Sequence, residues 1–245
     1  SQNALLSELR CKDGRGGWMI LKVLPIGEKI VDKKTKFNGK PIEWIVTDHE
    51  KYQGGAVLLS KDILCCRPFD NPKESYKNVG CREYGSNRWR DSDIRKWLND
   101  EFFCKSFSDR LADLTICTLK ATAYPKCDKD FSMTYFVDGT AEAVFLLSDA
   151  GVGYKGDNEA LELFKGRDKE KYLKAEVCHG LVWHWWLRSP YAGDSYIARY
   201  VQTAGSLGNS YAYNGDFGVR PACVISDSAP VKIRKSGGYR FDWER

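Results

Sequence analysis

The sequence predicts an α+β fold built on antiparallel sheet, and three observations carry that reading. Short strand-like runs fill the first quarter of the chain, a strongly periodic helical stretch lies near the middle, and strand-like runs return in the last third. Strands and helices never alternate in the regular βαβ units that a parallel, doubly wound sheet requires. A length of 245 residues, with 42% hydrophobic and 29% charged, suits one compact domain and excludes a disulfide miniprotein, a disordered tail or a fibre.

In chain order, residues 1–17 contain NALLSELR and end in GRGG, which reads as a lead-in or linker. The chain starts at Ser1 rather than Met, so the absence of a signal peptide carries no information. The domain is expected over 18–226, with 227–245 as a C-terminal tail. From Trp18 to Leu64 the runs WMILKVLPIGEKIV, PIEWIVTD and GAVLLSKDIL form a predicted β-meander, its reversals at Asn38-Gly39 and Gly54-Gly55, where positive φ angles are available. Residues 67–88 are polar and rich in turn formers, and are expected as a long loop.

In DSDIRKWLNDEFFCKSF, the apolar residues Ile94, Trp97, Leu98 and Phe102 fall on one helical face, with Asp91 or Ser92 as N-cap. A second short helix is predicted from Ser108, with Leu111 and Leu114 inward. A variable loop is expected from Tyr124 to Gly139, then a buried strand in AVFLLS and polar, helix-prone sequence through Lys174. From Val182 to Ile225, the runs VWHWWLRS, YIARYVQ and FGVRPACVI read as short strands between Gly, Asn and Ser turns.

Motifs for catalysis are missing. His49, His179 and His184 are the three histidines, and none stands in a GxSxG or papain-like context. No P-loop or helix-opening GxGxxG is present. Cys65 and Cys66 are adjacent and the other cysteines scattered, which does not match zinc spacing. The acidic pairs Asp91/Asp93 and Asp128/Asp130 lack the EF-hand pattern. No catalytic residue, metal ligand or cofactor is therefore expected. The net charge of +5 is spread without a basic stripe, which argues against nucleic acid as a partner. Apolar runs are too short for a membrane span. Nine cysteines without scaffold spacing suit reduced thiols made in a cytosol.

One segment stands apart. Residues 190–217, PYAGDSYIARYVQTAGSLGNSYAYNGDF, hold five Tyr, three Ser, four Gly, two Asn and two Asp, with no Lys, Glu, Met or Trp. That is the vocabulary of antibody paratopes, in which Tyr supplies rigid contact area and Ser, Gly and Asn adapt their hydrogen bonds. The competing reading is a β-hairpin with ordinary turn residues and strand tyrosines. The clusters at 193–197, 208–211 and 213–214 also fit the alphabet produced when the adenines of an Asn codon are randomised, which includes Ser, Asp, Gly, Tyr and Ile but never Lys, Glu, Met or Trp.

The stretch WWLRSPY…ARYVQTAGSL…GVRPA, with the upstream VLLSKDIL, IRKWLNDEFF and VFLLSD, resembles a C-type-lectin-like domain family of bacterial and phage genomes. That family overlaps the variable proteins of diversity-generating retroelements. The resemblance spans roughly 18–226. It implies a C-type-lectin-like fold with antiparallel sheets, two main helices and long ordered loops. It further implies a non-catalytic display protein, on a virion or a bacterial surface, that binds a protein or glycan. Ligand contact would come from Tyr191, Asp194, Ser195, Tyr196, Ser206, Asn209, Ser210, Tyr211, Tyr213, Asn214 and Asp216. Trp185, Trp186, Leu187, Arg188, Val219, Arg220, Pro221 and Ala222 would be scaffold, with the two arginines tying down irregular loops. An undiversified structural domain of the same fold is the alternative. Formylglycine-generating oxidases share that fold and use cysteines near the chain end. Cys223 sits in a comparable strand, but the partner cysteine and RGGSW-like motif are not evident, and Cys223 reads as a core thiol.

Overall fold

The structure is a computed structural model describing residues 19–125, 135–177 and 180–244. Expectations that fall on residues 1–17, Asp128, Asp130 and His179 lie outside the described residues. After β1 (Met19–Ile20), which pairs elsewhere, the first meander consists of β2 (Lys29–Phe37), β3 (Lys40–Tyr52) and β4 (Gly55–Ser60). Asn38 at φ 49° and Gly39 at φ 78° make the tight reversal that joins Phe37 to Lys40. The opening run is not one strand. Leu21–Val23 turns as a 3₁₀ helix before Pro25 and Gly27, the latter at φ 90°.

Seventeen strands are described in all. The next are β5 (Cys65–Cys66), β6 (Thr118–Pro125), β7 (Tyr135–Glu142) and β8 (Val144–Phe145). Then come β9 (Ala175–Val177), β10 (Leu181–Trp183), β11 (Trp185–Pro190), β12 (Ile197–Val201) and β13 (Leu207–Tyr211). The last are β14 (Gly218–Val219), β15 (Ala222–Ser226), β16 (Pro230–Ile233) and β17 (Tyr239–Phe241).

The larger sheet has eight strands in the order β1-β16-β17-β2-β3-β4-β15-β8, antiparallel except where β17 meets β2. All six residues of β4 are buried, as expected of a central strand covered on both faces. Residues 230–241, set apart as a tail by the sequence reading, supply two of its strands, and Met19 pairs with Val231 so that the described ends of the chain meet. A five-stranded sheet, β13-β12-β11-β14-β5, carries the segment with paratope-like composition.

Helices fill the interval between β5 and β6. The segment 67–88 is not wholly loop: α1 (Val79–Tyr84) forms there, its first turn capped by the Asn78 side chain and its end turned by Gly85 at φ 75°. Next, α2 runs as α-helix over Asp93–Lys96, as π-helix over Trp97–Phe102 and as α-helix again over Phe103–Ser106. Ser92 is its N-cap, and Ile94, Trp97, Leu98 and Phe102 are all buried, as their spacing predicts. Within the π segment, Asn99 binds both the amides and the carbonyl that position β8. A third helix, α3 (Asp109–Asp113), starts at the Ser108 cap and buries Leu111.

The expected loop from Tyr124 to Gly139 is in part a hairpin, since β6 and β7 pair from Thr118↔Glu142 to Pro125↔Tyr135. The stretch through Lys174 yields only short helical turns, ending in α4 (Glu170–Leu173). The protein is thus α+β, dominated by strands in mostly antiparallel sheets with few helices.

Candidate binding face

The frame beneath the paratope-like segment is buried aromatic and basic side chains from β11 and the closing strands. Trp185 donates its indole N–H to the Leu173 carbonyl at 2.8 Å, and Trp186 donates to the Arg67 carbonyl at 2.9 Å while stacking on Phe217 at 4.3 Å. Satisfied N–H groups let both rings sit fully buried. Arg220, equally buried, donates to the carbonyls of Ser60, Tyr172 and Lys61, which joins the end of β4 to α4. Arg188 sits among Tyr52, Asp149 and Glu142, and its burial pulls its pKa down. Leu187, Val219, Pro221 and Ala222 are buried as well. Cys223 lies in the core opposite Leu58, and burial pushes its thiol far up, as a packed apolar thiol requires.

On that frame, β12 and β13 pair with Ile197 opposite Tyr211 and Arg199 opposite Asn209. The two-residue period puts Asn209 and Tyr211 on one face and Gly208 and Ser210 on the other. Gly208 lies under the Tyr200 ring, where a Cβ would come within 2.4 Å, so that position accepts no side chain without moving Tyr200.

Four tyrosine rings gather at one end of this hairpin. Tyr211 stacks on Tyr84 with centroids 4.7 Å apart and planes 23° apart. Tyr196 lies 5.5 Å and Tyr213 5.9 Å from Tyr84, on either side of the pair. Tyr211 and Tyr213 are each 44% exposed, unusual for large aromatic rings that already have stacking partners. The Asp194 carboxylate accepts from the Tyr196 hydroxyl and pushes its pKa up, and Glu83 does the same for Tyr84. The Tyr196 ring crosses α1 where only Gly80 leaves room, since a Cβ there would meet it at 2.4 Å.

The loop carrying Tyr191 to Tyr196 is held from below by Asn87. Its buried amide donates to the carbonyls of Asp194 at 2.7 Å, Ile197 at 2.9 Å and Tyr191 at 3.3 Å, and its backbone N–H to Ser195 at 2.8 Å. A second support is Asp70, fully buried, which accepts from Lys73, from the Tyr76 hydroxyl and from the backbone N–H of Ser86 and Asp93. This knot fixes the chain on both sides of α1. Neither Tyr84, Asn87 nor Asp70 was singled out by sequence. Their only signal was polar and aromatic residues within an apparent loop, and their partners lie far along the chain.

The expected contact residues therefore divide. Tyr196, Tyr211, Tyr213 and Asp194 form one cluster, with Tyr191 beside it under the Arg199 guanidinium at 4.9 Å and Asn209 bonded to Arg199. Ser210 is half-buried on the inner face of the hairpin. Ser195 turns inward, its hydroxyl 3.3 Å from the Cys81 sulfur. Asn214 caps its own turn at the Asp216 amide, and Asp216 is exposed beside Trp183. Ser206 sits in the turn at the far end of the hairpin, about 17 Å from Tyr211 at the usual rise per residue.

Among the described residues, no three His, Cys, Asp or Glu side chains are placed to hold a metal ion, and no helix is long and apolar enough to cross a membrane. Residues 53–227 match a family described as a domain of unknown function (DUF6273), and the chain belongs to that family. No curated protein and no solved structure matches it.

Proposed function

We propose that this protein is a non-catalytic binding domain of C-type-lectin-like architecture whose tyrosine face contacts a protein or glycan ligand, with exchangeable side chains of the kind diversity-generating retroelements rewrite. The observation that carries the reading is the stack of Tyr84, Tyr196, Tyr211 and Tyr213, half-exposed yet fixed on a buried frame. Tyrosine rings so held lose little entropy on binding and offer both an apolar face and a hydroxyl. Pairing of the first described strand with a late one, and mostly antiparallel sheets, support the C-type-lectin-like architecture. Display on a virion or a bacterial surface follows from the same reading.

A second reading, an undiversified domain with the same frame, is favoured by Ser195 and Asn214, whose side chains are bonded within the protein and are poor positions for free exchange. The gene separates the two. A near-identical template repeat and a neighbouring reverse transcriptase, with adenine-derived codons at 194–196 and 209–213, support diversification; the absence of both rules it out. For binding itself, the wild-type domain and a Tyr196→Ala, Tyr211→Ala, Tyr213→Ala variant are compared on arrays of glycans and of surface proteins. Every wild-type signal should vanish from a variant that still melts within a few degrees of wild type. Signals retained by the variant would remove the tyrosine face from the mechanism.

A further inference from the structure

A cleft of about 390 Å³ opens on another part of the surface, between the start of β2, the end of β4 and α4. Its floor includes Arg220, whose three bonds within the protein all go to neutral carbonyls. Among the described residues no carboxylate forms an ion pair with it; Asp62, on the same cleft, offsets part of its charge from a distance, and the Trp185 ring lies 5.0 Å away. A guanidinium carries five N–H groups, so donors remain after these bonds are made. Buried charges are ordinarily paired directly, and this one has no carboxylate at bonding distance.

The rim repeats the same sign. Lys29, Lys61, Lys171 and Lys174 line the cleft against two carboxylates, Asp62 and Glu176. Lys61 lies 3.6 Å from Asp62 and is thereby engaged. Lys29, Lys171 and Lys174 are exposed and form no ion pair among the described residues. Ile45, Ala175 and the Tyr172 ring give one wall an apolar character. The volume lies at the lower end of the range for small-molecule sites, so there is room for an organic body as well as an anionic group.

We propose that this cleft is a binding site for a phosphorylated small molecule, its phosphoryl group held by Arg220, Lys171 and Lys174 and its organic part against Ile45 and Tyr172. A guanidinium fork matches phosphoryl oxygens, and flexible lysines supply the remaining charge. The site is separate from the tyrosine face, and neither reading depends on the other.

The test uses three probes, inorganic phosphate, glucose 6-phosphate and adenosine 5′-monophosphate, with glucose and adenosine as controls, read by calorimetry and by thermal shift. At least one organic phosphate should bind saturably and more tightly than inorganic phosphate, and the uncharged controls should not bind. A Lys171→Ala, Lys174→Ala variant removes two exposed side chains and leaves the fold intact; it should lose at least tenfold in affinity, with an unliganded melting temperature unchanged. The triple tyrosine variant should bind these probes as wild type does. The proposal is overturned if none of the three probes binds saturably, if inorganic phosphate binds as tightly as both organic phosphates, or if the double lysine variant keeps wild-type affinity.

Discussion

Tyr84 and Tyr211 stack ring on ring, 4.7 Å apart, and in doing so join α1 to the edge strand β13. The contact brings together the segment expected as a featureless loop and the segment expected to bind. It predicts measurable coupling. In a double-mutant cycle with Tyr84→Ala and Tyr211→Ala, the interaction energy should be about 0.5–1.5 kcal/mol, toward the low end because the rings are partly solvated. Strict additivity in urea unfolding would mean that the rings do not stack in solution.

Asn87 is the more consequential neighbour. Its amide donates to three carbonyls from a buried position, and Asn87→Ala removes all three bonds at once. Two of the carbonyls keep a backbone partner, so the loss should be about 2 kcal/mol, or roughly 4–8 °C in melting temperature for a chain of this size. Ligand contacts through Tyr191 to Tyr196 should weaken with it. A change below about 0.5 kcal/mol in denaturant titration would show that the loop holds its shape without Asn87.

Acid sensitivity should centre on Asp32. Burial pushes its carboxyl up, but bonds from Ser108, the Lys34 amide, Thr35 and Trp243 outweigh that and hold it below the ordinary value. A carboxyl depressed in the folded state stabilises above its unfolded pKa of about 3.9, and that contribution is lost as pH falls through the folded value. Stability should therefore fall below about pH 4. Asp32→Asn should be less stable at pH 7 and show a flatter acid limb. Parallel acid limbs in the two proteins would exclude Asp32 as the responsible group.

Thiol chemistry separates core from surface. Cys223 is fully buried with its pKa raised by burial, whereas Cys66, Cys104 and Cys117 are exposed. Native protein treated with an alkylating reagent should carry label at those three and not at Cys223, which reacts only after denaturation. Cys223→Ser should cost about 1–3 kcal/mol by burying a hydroxyl among apolar neighbours. Rapid native labelling of Cys223 would reopen the oxidase-type reading.

Much of the frame was legible in the sequence because local rules decide it. Asn38-Gly39 makes a hairpin wherever it stands between strands, Ser92 and Ser108 cap helices through bonds to amides three residues on, and the stripe from Ile94 to Phe102 can face only a core. The tryptophans of WWLRSP had to be buried once their N–H groups found acceptors. Less was legible where partners are distant. Residues 67–88 carry no period of their own, since α1 is held by Asp70, Asn87 and Tyr196 rather than by an apolar stripe. The strands β16 and β17 read as a polar tail because they pair close to one edge of the sheet with β1 and β2, some two hundred residues earlier in the chain.

By itself, then, the sequence determined the α+β class, the hairpins, the helix caps and the composition of the segment 190–217, all properties of neighbours within a turn or two. The tertiary structure decided which of those residues face outward together. It turned Ser195 inward, left Ser206 at the far end of the hairpin and added Tyr84 to the tyrosine stack. A binding surface is assembled by register and by packing between distant segments, and composition along the chain does not encode either.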